Sequence, residues 1–165
     1  MTPLGNRDAT SLVAMTQLKA QLTADLTAAM KARDELSTAT LRMLLTAVTT
    51  EEVAGKTARE LSDAEVLKVI GSEAKKRREA AEAFRSAGRT EQASRELDEQ
   101  AVLNRYLPSQ LTDAELTAMV TDAVRESGAT EQRQMGQVMK LLAPKVVGRA
   151  DGKRLSDEVR RQLGS

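Results

Sequence analysis

The chain has 165 residues, 41% of them hydrophobic and 30% charged, with a formal net charge of +1. That balance fits one ordinary folded domain or two small ones and excludes a disordered polyelectrolyte. Cysteine and histidine are both absent, which excludes disulfides, thiolate nucleophiles and the commonest metal ligands and near-neutral acid–base groups.

Aromatic residues are limited to Phe84 and Tyr106, so Leu, Val, Ile, Met and Ala must fill the core. A sheet would normally carry more β-branched and aromatic alternation, and the composition therefore favours helix. No apolar run reaches the roughly 18 residues expected of a membrane span. The polar start, with Arg7 and Asp8, does not read as a signal peptide. These features point to a cytoplasmic protein. With so little net charge, any nucleic-acid surface has to come from local clustering.

Residues 1–14 read as a flexible leader, with Pro3, Gly5 and Asn6 and no periodicity. From Met15 onward, Leu18, Leu22, Leu26 and Met30 recur every fourth residue and predict an amphipathic helix. A break at Arg33-Asp34 precedes a second helix, in which Leu41, Leu44, Leu45 and Val48 share a face and Gly55 is the expected stop. Ser62 and Glu65 form a capping-box pattern that opens the longest helix, which Gly88 closes. A fourth helix starts at Thr90 and ends at Tyr106-Leu107-Pro108, where proline pushes Leu107 out of helical angles. The boundary between an N-terminal module, 15–107, and a smaller C-terminal module, 108–165, is placed here. In the second module Thr112 and Glu115 repeat the capping-box pattern, and Gly128 ends that helix. A helix from Thr130, interrupted near Pro144, and a last helix capped by Asp151 and carrying Leu155, Val159 and Leu163 complete seven helices. The fold class is all-α, a module of long helices followed by a smaller helical module.

Two basic segments are candidates for chemistry. Lys75-Lys76-Arg77-Arg78 is compatible with a nucleic-acid footprint, but consecutive residues point around most of a helix, and Glu79 and Glu82 lie four residues on. A solvated, charge-laced helix is the simpler reading. The second runs from Lys140 to Arg154 and holds Lys140, Lys145, Arg149, Lys153 and Arg154 against the single acid Asp151. Gly148 and Gly152 flank the entrance of a helix, where free N–H groups beside cations suit a phosphate. The plain alternative is a tight interhelical turn with Asp151 as cap. Glu51-Glu52 diverge on a helix, and no nucleophile elbow, P-loop or dinucleotide fingerprint is present. Met135 and Met139 share a face with Val138 and Leu142 and read as core. No catalytic residue, metal ligand or cofactor site is assigned.

Several segments taken together resemble the YqeY family of small stand-alone proteins in the GatB/YqeY group. They are Leu41-Arg42-Met43-Leu44, Lys76-Arg77-Arg78, Tyr106-Leu107-Pro108-Ser109-Gln110-Leu111, Met135-Gly136-Gln137-Val138-Met139 and Gly148-Arg149-Ala150-Asp151-Gly152-Lys153. The resemblance implies a C-terminal module similar to the tail of the B subunit of the glutamine-dependent aspartyl/glutamyl-tRNA amidotransferase. There the tail engages tRNA, while ATP use and transamidation belong to other domains, which this chain does not match. It thus implies a non-catalytic tRNA-binding accessory protein, with an amidotransferase or aminoacyl-tRNA synthetase as partner. RNA contact would fall on Lys140, Lys145, Gly148, Arg149, Gly152, Lys153 and Arg154. Scarce aromatics favour recognition by backbone and shape over base stacking. The competing readings are a helical protein–protein adaptor without RNA binding and a component of a glutamine-dependent carbon–nitrogen ligase acting with a partner.

Overall fold

The computed structural model describes residues 17–164; the leader expected over 1–14 lies outside them. Seven α-helices and one 3-10 turn make up the regular structure of the described residues, with no strand among them. The fold is all-α. The chain divides into two compact units, the first ending at Tyr106 and the second running from Leu107.

The first unit holds α1 (Gln17–Lys31), α2 (Glu35–Glu52), α3 (Asp63–Ser86) and α4 (Thr90–Asn104). Its core is aliphatic, built on Leu22, Leu41, Leu44, Val48, Leu61, Val66, Ile70, Val102 and Leu103. The fourfold leucine spacing of α1 does not hold to its end: Ala29 is buried and Met30 is half-exposed. A step of four residues overshoots a 3.6-residue turn by about 40°, so three steps carry Met30 off the buried stripe. The α1–α2 corner passes through Arg33 at a positive φ of 57°. Asp34 then caps α2, accepting from the Ser37 N–H at 3.0 Å and from the Ser37 hydroxyl at 2.7 Å. Those two bonds hold the Asp34 carboxyl below its ordinary range. Helix α2 stops at Glu52, short of Gly55, with Val53 closing the last turn onto the Thr49 carbonyl.

The capping box at Ser62 forms in both directions. Arg59 adds two bonds to the Glu65 carboxylate, at 2.9 and 2.7 Å. Arg59 first and the Ser62 N–H second draw Glu65 down to about 2. Gly88 takes a φ of 73° between α3 and α4, a conformation that costs glycine little. Within the basic run, Arg77 lies 3.0 Å from Glu99, 3.7 Å from Glu73 and 3.9 Å from Glu96, and Lys76 pairs with Glu73 at 2.8 Å. Arg77 is thus engaged in the seam between α3 and α4, while Lys76 pairs within α3 at the surface. Tyr106 closes the unit, donating its hydroxyl to Asp25 at 2.6 Å; burial first, and then this bond, push its phenol well above the ordinary value.

The second unit is a three-helix arrangement of α5 (Asp113–Ser127), α6 (Met135–Val146) and α7 (Gly152–Leu163). One apolar cluster runs through it, from Leu116 and Val120 of α5 through Val138 and Leu142 of α6 to Leu155 and Val159 of α7. The capping box at Thr112 is complete, and Gly128 ends α5 in the left-handed region. The helix expected from Thr130 begins at Met135, after a 3-10 turn over Gln132–Gln134. Pro144 lies inside α6, in its last turn, and does not interrupt it. Proline removes the N–H that would bond the Lys140 carbonyl, and only Lys145 and Val146 of the helix follow it.

Candidate nucleic-acid interface

The turn between α6 and α7 is built from backbone outward. Val146 ends α6, and its carbonyl accepts from the N–H groups of Arg149 at 2.8 Å and Ala150 at 3.3 Å. Gly148 supplies the reversal at a φ of 72°. A methyl group placed on it would lie 3.1 Å from the Pro108 ring, so this position needs glycine for conformation and for packing. Asp151 caps α7 by accepting the Arg154 N–H at 2.8 Å. Gly152 differs: a Cβ there meets nothing within 4 Å.

The turn is fastened to the segment that leads into α5. The Leu111 N–H donates to the Arg149 carbonyl at 2.8 Å, and Arg149 Nε donates to the Ser109 carbonyl at 3.1 Å. The Gln110 amide reaches the Gly148 carbonyl at 2.6 Å. Arg154 spans two partners, donating from Nη1 to the Leu111 carbonyl at 2.8 Å and from Nη2 to Asp113 at 2.6 Å. The Leu107–Leu111 and Gly148–Lys153 motifs, widely separated in sequence, therefore meet in one structural junction. Glu115 borders it; the Thr112 N–H holds its carboxyl below the ordinary range, and the charge of Arg149 adds to the effect.

The seven residues expected to contact RNA divide into three groups. Gly148 and Arg154 serve the junction, the first by its φ and its packing on Pro108, the second by its two bonds. Lys145 is exposed and faces Glu126 at 3.8 Å. Lys140, Arg149, Gly152 and Lys153 keep polar groups open to solvent: Lys140 and Lys153 are exposed, and Arg149 uses only Nε in the junction. Lys140 and Lys145 lie about 140° apart around α6, so they do not form one stripe.

Among the described residues of this unit, most cations face a carboxylate: Arg125, Arg133, Lys145, Arg154, Arg160 and Arg161 all do. Lys140, Arg149 and Lys153 form no ion pair with any described residue. Asp113 is not marked by the sequence at all, and Gln110 is marked only as part of its motif, not for its bond to the turn. Their signal is weak, because a glutamine and a first-turn aspartate are ordinary on any helical surface.

No group of acidic side chains among the described residues is arranged to hold a metal ion. No helix of the described residues is long and apolar enough to cross a membrane. No curated protein matches the chain. The family model described as Yqey-like protein matches residues 19–163, nearly the whole chain and both helical units, and the chain belongs to the YqeY-like protein family.

Proposed function

We propose that this protein is a non-catalytic accessory factor that binds the phosphate backbone of tRNA, in association with a tRNA amidotransferase or an aminoacyl-tRNA synthetase. The observation that carries the reading is the set of cations without ion pairs in the second unit. Lys140, Arg149 and Lys153 have no ion-pair partner among the described residues, where every other described cation of the unit has a carboxylate within ion-pair distance. Two of them, Arg149 and Lys153, flank the start of α7, where the open side of Gly152 leaves backbone N–H groups approachable. Phosphates of a structured RNA fit such a surface better than bases do. Tyr106 is tied to Asp25 and Phe84 is half-buried, so the chain offers little for stacking.

One observation favours the adaptor reading: Arg154 and Arg149 are also struts of the α5–α7 junction. Filter binding of total tRNA across a salt series separates the two. The tRNA reading expects affinity to fall steeply with salt. Lys140→Ala with Lys153→Ala removes no side-chain hydrogen bond or ion pair of the described residues and is expected to reduce the salt slope by roughly two units, one per phosphate contact. Wild-type binding and slope in that double variant would overturn the proposal and leave the adaptor in front.

A further inference from the structure

The solvent face of the α1–α2 hairpin is nearly uncharged, in a chain of which 30% is charged. Between Glu35 and Glu51 the one charged residue of α2 is Arg42. Leu36 is 37% and Met43 41% exposed on this helix, with Ala39 exposed between them. The hydroxyls of the exposed Thr46 and Thr50 turn back onto the carbonyls of Arg42 and Thr46, at 2.9 Å each, so they are already used within the helix. Helix α1 continues the surface. Its exposed Ala20, Ala24 and Ala28 recur every fourth residue, and its two internal charges are both engaged, Lys19 by Glu52 and Asp25 by Tyr106. Arg42 links the two helices by reaching Met30 Sδ at 3.7 Å. Exposed helix faces are ordinarily dense in charge, and this one resembles the middle of an interface, depleted of charge and supplied with methionine.

The charges that remain say what covers it. Glu35 and Arg42 stand seven residues apart on one side of α2, two turns or about 10 Å. Neither forms an ion pair among the described residues. A face with one acid and one base at the two ends of a small-residue stretch is complementary to itself under a two-fold axis. An antiparallel second copy, with the axis near Ala39, sets each Arg42 against the Glu35 of the other chain. It also lets the helices approach closely over alanine. Such an isologous contact satisfies both charges at once and closes the assembly at two. Two helices about 25 Å long and about 10 Å wide present roughly 500 Å² in projection, on the scale of a modest reversible dimer and smaller than an obligate one.

We infer that the outer face of α1–α2 is a homodimer interface, formed by antiparallel pairing of α2 with α2 of a second copy. This interface belongs to the first unit and is independent of the tRNA reading. Sedimentation equilibrium of the full chain, from about 1 to about 200 μM, tests it in the micromolar range expected of such an area. A concentration-dependent dimer is expected, and a wild-type protein monomeric throughout would overturn the inference. Ala39→Arg should give a monomer with an unchanged helical CD spectrum; a dimer that survives it uses another face and overturns the inference as well. Glu35→Arg and Arg42→Glu should each weaken association about tenfold or more by setting like charges opposite one another. The double exchange restores the pairing and should recover most of that loss. Failure of the double variant to recover, while both singles weaken, would refute the antiparallel register.

Discussion

Replacing Arg154 with alanine tests whether this cation serves the fold. Two bonds are lost. The Nη1 bond to the Leu111 carbonyl, at 2.8 Å, is made by a charged donor whose side chain is 33% exposed. A bond of that kind contributes about 1.5–3 kcal/mol. The Nη2 pair with Asp113, at 2.6 Å, involves a carboxylate that is 97% exposed, and solvent screening limits it to about 0–1 kcal/mol. The expected cost of Arg154→Ala is therefore about 2–3 kcal/mol, most of it from the carbonyl left without its donor. Asp113→Ala should cost less than about 1 kcal/mol, a surface pair and a first-turn acid together. Amide hydrogen exchange across α5–α7 reads this locally in the full chain. The slow amides of the second unit should exchange about 30- to 150-fold faster in Arg154→Ala and only a few-fold faster in Asp113→Ala. Exchange in Arg154→Ala within about threefold of wild type would refute the assignment. Equal damage from Asp113→Ala would show that the ion pair, not the carbonyl bond, carries the stabilisation.

The two glycines of the same turn should behave oppositely. Gly148→Ala combines a positive φ with a 3.1 Å approach to the Pro108 ring and should destabilise the second unit by about 1–3 kcal/mol in urea unfolding. Gly152→Ala meets open space and should be neutral or stabilising by about 0.5–1 kcal/mol, while weakening tRNA binding if phosphate approaches there. The Glu158 carboxyl is drawn down to about 2, first by Arg161 and then by the Gln162 amide. Its folded pKa lies below the unfolded value of about 4.5, so its stabilisation is present above that pH and is lost as pH falls toward 2. Glu158→Gln should flatten the acid limb of the stability curve in that window; an unchanged limb would show that the Arg161 contact is not maintained in solution.

Much of the helical organisation was legible because local chemistry writes it. The capping boxes at Ser62 and Thr112, the cap at Asp151 and the left-handed glycines at 88 and 128 depend on residues within one turn of each other. Met30 was misplaced on the buried face because a strict fourfold count ignores the drift of a 3.6-residue helix. The expected break near Pro144 did not form: only Lys145 and Val146 follow it in α6, so a proline kink has almost no helix left to redirect. The candidate site was legible only in outline. Its cations are visible in the sequence, but whether a cation is spent on the fold depends on partners far along the chain. Arg154 meets Leu111 and Asp113 across 43 and 41 residues, and nothing in the spacing announces those contacts. Lys140 and Lys153 are left open for the complementary reason, that among the described residues no carboxylate lies within ion-pair distance of them.

The bonds between the Leu111 segment and the α6–α7 turn tie together positions 38 residues apart, with α5 and α6 in the chain between them. They form the neck of a purse. Closing a flexible loop of that length costs chain entropy that grows only slowly with its size, so length added at the far end, between α5 and α6, is borne more easily than any change at the neck. The loop around Thr130 is thus where this unit can drift over evolutionary time, and the stretch from Leu107 to Asp113, with the turn it meets, is where it cannot.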